Sequence, residues 1–184
     1  MDYFLDIRVL PDPEFSEEML MAALFAKLHR ALGARGKGDI GVSFPEFSIK
    51  PGPLLRLHGD ESTLCALEKT LWRKGLNDYC QSGQIMPVGE IQGWRCVSRV
   101  QVKSSPERLM RRSMRKGLLT QDEANERLLS MRGESTALPW LNMKSLSNGQ
   151  KFPLFICHGE LLAQRVAGTF NSYGLSHIAT IPWF

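Results

Sequence analysis

Histidine is the side chain best suited to take up a proton near neutral pH, and this chain has four, His29, His58, His158 and His177. Each is structural by default. His29 falls near the C-terminal end of an expected helix, beside Leu28 and one turn from Phe25, where a histidine at the edge of the core is the ordinary outcome. Ser145 and Ser147 alternate along an expected strand, so both point to one side and could hold a hydroxyl or a phosphate, although exposed strand serines are commonplace. Phe152 and Tyr173 default to buried aromatics; stacking on a base or orienting a histidine is the sharper alternative. Arg99 and Gln101 share one face of another strand, and these side chains can fork to guanine and adenine respectively. Metal-dependent nucleases gather several carboxylates at one point, whereas residues 95 to 184 carry only six acids, mostly in expected helices. The glycines at 33, 36 and 38 lack both the Lys-Ser/Thr ending and the preceding strand of a phosphate loop. Neither a metal nor a cofactor is expected. Catalysis, if present, then uses side chains alone, which RNA permits because its own 2'-hydroxyl can attack the adjacent phosphate.

The strongest signal of a partner is electrostatic. Between Arg95 and Lys116 there are eight Lys or Arg and one acid, Glu107. Ser105-Pro106-Glu107 is a helix start and Gly117 a plausible stop. Inside that helix Arg108, Arg111, Arg112 and Arg115 recur at i, i+3, i+4 and i+7, one arginine face with Lys116 on its edge. Solvated basic faces normally interleave acids; this one does not, so it points to a polyanion whose phosphates neutralise it. The two parts of the chain differ accordingly. Residues 1 to 94 hold 10 basic and 13 acidic residues, net -3, and residues 95 to 184 hold 13 and 6, net +7.

Composition narrows the class further. At 184 residues and 43% hydrophobic content the chain can bury a sizeable core. Cys65, Cys80, Cys96 and Cys157 form no CxxC pair, which suits buried thiols in a reducing compartment rather than a zinc module or disulfide framework. With no apolar run of signal-peptide or membrane-spanning length, a cytoplasmic protein with no membrane partner is expected.

The elements that must position these residues read as βαββα at the start. Residues 3 to 10 suit a strand that stops at Pro11-Asp12-Pro13, and a helix follows from the N-cap Ser16 through Leu20, Ala23, Leu24, Leu28 and Leu32 to a stop at Gly33. Strands at 40 to 44 and 54 to 58 precede a second helix from about Ser62 through Leu64, Leu67 and Leu71. A strand from Trp94 to Val102 would complete βαββαβ, the ferredoxin-like unit, although no aromatic RNP motif accompanies it. Thr120-Gln121-Asp122-Glu123 is a capping box opening a helix with Ala124, Leu128 and Leu129 on its apolar side. Residues 141 to 147 and 151 to 158 form a hairpin turned at Asn148-Gly149, and the apolar stretch 178 to 184 packs on the core.

Beyond these local readings, FLDIRVLPDPEF (4 to 15), FAKLHRAL around His29, IGVSFPEF, VSRVQVKSSPERLMRRSMRK, MKSLSNGQKFPLFICHG, YGLS and the terminal PWF occur in one order along the chain. Together they resemble the CRISPR-associated endoribonucleases of the type I-F system, which process precursor CRISPR RNA at its repeat stem-loop. The resemblance implies an α+β protein with an N-terminal ferredoxin-like (RRM-like) domain at 1 to 94 and a C-terminal α+β domain at 95 to 184 that carries the arginine-rich helix. It implies that His29 is the general base for the 2'-hydroxyl, that Ser145 holds that hydroxyl, that Ser147 sits close to the scissile nucleotide and that Tyr173 orients His29. Arg99 and Gln101 are then expected to read purine edges, Phe152 to stack beneath the terminal base pair, and Arg108, Arg111, Arg112, Arg115 and Lys116 to line the RNA major groove. Expected partners are the CRISPR repeat stem-loop RNA, held after cleavage, and other subunits of the type I-F surveillance complex. Lys116 stands where the family usually has another arginine, keeping the charge without the forked geometry, and Gly117 replaces a larger polar residue.

Overall fold

Alternating apolar residues make β1 (Tyr3–Val9), which buries Leu5, Ile7 and Val9 on one face. The computed structural model describes residues 1–101, 111, 113–118, 120–123, 137–145 and 149–184. Ser16 caps the helix that follows, α1 (Glu17–Arg35), its hydroxyl accepting from the Met19 amide at 3.4 Å. Met21, Leu24, Phe25, Leu28 and Leu32 are buried along one side. The helix runs through the expected stop at Gly33 and ends at Gly36, where φ reaches 64° and the amide caps the Leu32 carbonyl. A glycine inside a helix costs only about 1 kcal/mol, so it weakens the helix without terminating it.

Next come β2 (Gly41–Ser43), β3 (Leu54–Gly59) and α2 (Glu61–Glu68). The second helix is shorter than its periodicity suggests. Leu71, expected on its apolar side, is 73% exposed with φ at 52°. Two short strands, β4 (Cys80–Ser82) and β5 (Met86–Pro87), both pair with β1. The first sheet has the order β2-β3-β1-β4, all neighbours antiparallel, with β5 on the far half of β1. That is the ferredoxin-like order, but it is closed by β4 rather than by the expected strand from Trp94. Three residues from Cys80 sufficed to pair with Ile7, Arg8 and Val9, too short an alternation to stand out in sequence.

The strand beginning at Gly93, β6 (Gly93–Val100), starts a second sheet instead, with β7 (Trp140–Lys144), β8 (Lys151–Leu162) and β9 (Thr180–Trp183). Its order is β7-β8-β6-β9, again antiparallel throughout. Numbered within each sheet, both orders are 2-3-1-4, so the chain repeats one strand topology. The α+β class therefore holds, with two sheets and helices segregated from them. Residues 1–100 with 138–184 make one compact unit and residues 101–137 another.

The two sheets share a continuous core. A Cβ on Gly41 would lie 2.5 Å from Ile181 Cγ2, so β2 and β9 are pressed together where any side chain would intrude. Arg56 ties the C-terminus to the first sheet: it bonds both Asp6 oxygens, at 2.7 and 2.8 Å, donates to the Phe184 carbonyl at 3.3 Å, and its guanidinium lies over both the Phe4 and the Phe184 ring. The four cysteines are free, and only Cys80 is buried; the other three are half-buried, not the buried thiols expected. Among the described residues no helix is long and apolar enough to cross a membrane.

In the second unit, Arg111 and residues 113–115 are helical, and Gly117 ends the turn as expected. Leu118 N–H bonds the Ser113 carbonyl and Gly117 N–H the Met114 carbonyl, with φ of 69° at Gly117, a Schellman stop. The capping box also forms: Thr120 N–H donates to Glu123 Oε2 at 2.8 Å and Glu123 N–H to Thr120 Oγ1 at 3.4 Å. Leu109, Ala124, Leu128 and Leu129 lie outside the described residues.

Candidate active site

Strand parity and one helix face bring the separated residues together. On β8 Phe152, Leu154 and Ile156 point inward, and Arg99, paired with Ile156 on β6, points the same way. Buried Met143 on β7 pairs with Phe152. Against this inner face packs α1, and the gap left between them is an open cleft of about 1000 Å³. His29, Arg99, Ser145, Phe152 and Tyr173 all line it.

His29 is half-buried, on the helix face between buried Phe25 and Leu32. Its Nδ1 lies 3.0 Å from the main-chain oxygen of Ser172. A carbonyl can only accept, so in the neutral ring Nδ1 carries the proton and Nε2 keeps its lone pair. The ring is also clamped flat on Tyr173, centroids 3.8 Å apart and planes 3° from parallel. Tyr173 in turn is stacked on Phe25 at 6.0 Å. One hydrogen bond and one stack together leave the imidazole little rotational freedom.

A short turn holds Tyr173 in place. Asn171 Oδ1 accepts from the Tyr173 amide at 2.8 Å and from the Leu175 amide at 3.3 Å, while Gly174 N–H bonds the Asn171 carbonyl. Gly174 has φ of 71°, and a Cβ there would sit 2.4 Å from Val42 Cγ2. Only glycine lets this turn lie directly on β2, where the Val42 amide bonds its carbonyl at 2.9 Å.

Arg99 is half-buried, with its guanidinium carbon 5.4 Å from the centre of the Phe152 ring and 5.8 Å from that of Tyr173. Aromatic faces thus hold the cation while its N–H edge remains available for hydrogen bonding. Gln101 is exposed just past the end of β6. Ser145 follows β7 rather than lying in it. Lys144 pairs with Lys151 and the Ser145 amide bonds the Gln150 carbonyl at 2.8 Å, a register two residues away from the one that a two-residue turn at Asn148-Gly149 would set. Gly149 is in the left-handed conformation, φ 68°, and its amide bonds the Ser145 carbonyl at 3.0 Å. Arg111, Arg115 and Lys116 are exposed. Arg108, Arg112 and Ser147 lie outside the described residues.

The other histidines are placed differently. His58 is fully buried, its Nε2 2.8 Å from Ser43 Oγ, and burial followed by the Arg56 charge lowers its pKa to about 3. His158 stacks on Phe47 at 4.0 Å and accepts the Phe44 amide; burial, then the charge of Arg95, lowers its pKa to about 4. His177 is exposed on a loop. Residue types alone did not mark Ser172, which contributes only its main-chain oxygen, nor Arg30, Lys144 and Lys151, which add positive charge to the cleft. The proximity of Arg30 to His29, and of both lysines to Ser145, was the available signal.

Over residues 4–184 the sequence matches the family described as CRISPR-associated protein (Cas_Csy4). It is 66% identical, over 100% of both chains, to a protein of Escherichia coli strain UTI89 named CRISPR-associated endonuclease Cas6/Csy4. A Pseudomonas aeruginosa UCBPP-PA14 protein of the same name is 45% identical, again over 100% of both. A solved structure described as CRISPR endoribonuclease Cse3 bound to 19 nt RNA is similar over 99% of this chain and 100% of its own, at 15% identity and a TM-score of 0.32, too loose a likeness to argue from.

Proposed function

Since the chain belongs to the CRISPR-associated Csy4 family, we propose that it is an endoribonuclease that cuts precursor CRISPR RNA at the 3' side of the repeat stem-loop, needs no metal, and keeps its product. The observation that carries this reading is the hydrogen bond between His29 Nδ1 and the Ser172 main-chain oxygen, which supports Nε2 as the base at the edge of a cleft of about 1000 Å³. His29 Nε2 takes the proton of the 2'-hydroxyl, which Ser145 holds. The 2'-oxygen bonds to phosphorus, the bond to the 5'-oxygen breaks, and that oxygen takes a proton from solvent as it leaves. The products are a 5'-hydroxyl and a 2',3'-cyclic (or 3') phosphate. Tyr173 positions the base by stacking, and Ser147 acts close to the scissile nucleotide.

Charge builds on the phosphate during attack and is stabilised by nearby cations. Arg99 and Gln101 read purine edges near the base of the stem, Phe152 stacks beneath its last base pair, and Arg108, Arg111, Arg112, Arg115 and Lys116 bind stem phosphates. Product retention makes the protein a subunit of the type I-F surveillance complex, in the cytoplasm. A hairpin-binding subunit without catalysis is the second reading, because the same cations suit binding alone. Incubating a labelled repeat hairpin in excess EDTA, beside a copy with a 2'-deoxy at the cut, separates the two. Cleavage of only the all-ribose hairpin is expected. A shifted but uncut hairpin leaves the binding reading, and cleavage of the deoxy copy overturns 2'-hydroxyl attack.

A further inference from the structure

A second cavity, of about 320 Å³, opens where α1 ends. Leu32 and Gly33, one turn beyond His29, form one wall, and Ser172 forms another. Ser172 also supplies the carbonyl that holds His29, and its neighbour Tyr173 lines the cleft. The His29–Ser172 hydrogen bond thus joins a residue of the cleft to a residue of the second cavity, and Gly33 lies about one helical turn, ~5.4 Å, beyond His29.

Its lining combines an apolar floor with cations. Leu32, Ile40 and Phe170 are buried beneath it. Arg35 is 13% exposed; it bonds Asp39 through Nη2, at 2.9 and 3.2 Å, yet its Nε is shielded from solvent with no partner. Lys37 has no ion pair among the described residues and gives the lining a net positive charge. The backbone at Gly33 and Gly36 is bare: a Cβ on Gly33 would meet only Ser172 Cβ at 3.8 Å, and one on Gly36 would meet only the Gly33 oxygen at 4.0 Å. A flat ring can lie against such a surface. The volume suits one nucleotide and excludes a duplex.

We propose that this cavity binds the nucleotide on the 3' side of the scissile phosphate, base inward, with Lys37 near the phosphate that follows. This rests on the function proposed above, because the nucleotide 5' of the cut belongs to the paired stem while the one 3' of it is single-stranded and can turn its base out. Holding that nucleotide fixes the leaving 5'-oxygen on the far side of phosphorus from the 2'-oxygen, as in-line displacement requires.

The test uses a repeat hairpin with a 2'-deoxy at the cut and 2-aminopurine as the first downstream base, together with cleavable hairpins that carry either a normal or an abasic nucleotide there. Binding should change the 2-aminopurine emission. The abasic hairpin should be cut roughly tenfold more slowly. Gly33→Leu, which projects a side chain into the cavity, and Lys37→Glu should each abolish the emission change and make the two cleavable hairpins equivalent. Affinity for a hairpin ending at the cut should remain. An emission change unaltered in both Gly33→Leu and Lys37→Glu, or equal cutting of normal and abasic hairpins by the wild type, overturns the subsite. No cutting of any hairpin overturns the endonuclease reading instead, and the 2-aminopurine arm still reports whether the cavity takes the base.

Discussion

Acidification should unfold this protein through two histidines that do no chemistry. His58 and His158 are held neutral, with pKa values lowered to about 3 and about 4, chiefly by burial and then by Arg56 and Arg95. In the unfolded chain both return to about 6.5. Because the folded values are the lower ones, the unfolded state takes up protons first as pH falls. The stability these groups permit is complete above about pH 6.5 and declines through the window down to about 4 and 3. Between pH 7 and pH 5 each site loses roughly 1.4 pKa units of differential protonation, about 2 kcal/mol, so the pair costs about 4 kcal/mol. For a chain of this length that corresponds to a fall in Tm of roughly 10 °C. Between pH 7 and pH 5 the lowered carboxylates add little to this. Glu46, Glu18 and Asp60 are lowered by hydrogen bonds to Arg8, Lys50 and the N-terminal amine, so their losses begin in more acid solution. Thermal unfolding followed by circular dichroism at the two pH values and one ionic strength measures the drop. His58→Gln should lower stability overall and remove about half of the pH dependence. Equal Tm values at both pH values, or an unchanged slope in His58→Gln, would refute the assignment of these rings as buried and neutral.

His29→Ala should slow single-turnover cleavage by about 10²- to 10⁴-fold, the usual worth of a general base, with hairpin affinity nearly kept; wild-type cleavage would exclude His29 as the base. Arg115→Ala should weaken hairpin binding and flatten the dependence of log Kd on log salt by about one unit, measured by titration across ionic strengths, and an unaltered slope would argue against a phosphate contact. Gly174→Ala forces a Cβ to 2.4 Å from Val42 Cγ2 at a positive φ. It should cost about 1–3 kcal/mol and, by shifting Tyr173, reduce cleavage as well; full stability and activity would show that the turn is not pinned on β2.

Legibility followed the range of the interactions. Ser16, the Thr120–Glu123 box and the stop at Gly117 were readable because capping is settled within a few residues, and the structure forms all three. Gly33 misled because glycine ends a helix only where its backbone turns left-handed, and that happens at Gly36. Pairing over longer distances was harder. Cys80–Ser82 closes the first sheet with three residues, so the longer and more apolar strand at Gly93 was assigned a place it does not occupy. The hairpin register differs by two residues, Lys144 pairing with Lys151, because an Asn-Gly pair marks a turn without fixing which residues flank it.

By itself, the sequence determined the α+β alternation, the apolar face of α1, the unbalanced charge of residues 95 to 116 and the resemblance that singled out His29, Ser145 and Tyr173. The first three follow from residue type and spacing, which need no partner, and the last from motifs shared with a known family. Tertiary structure alone decided which strands share a sheet, that β8 and α1 enclose one cleft, and that Ser172 presents a carbonyl to His29 from 143 positions away. A main-chain oxygen has no residue signature, and the proton it places on Nδ1, leaving Nε2 free, exists only once the fold has brought the two segments together.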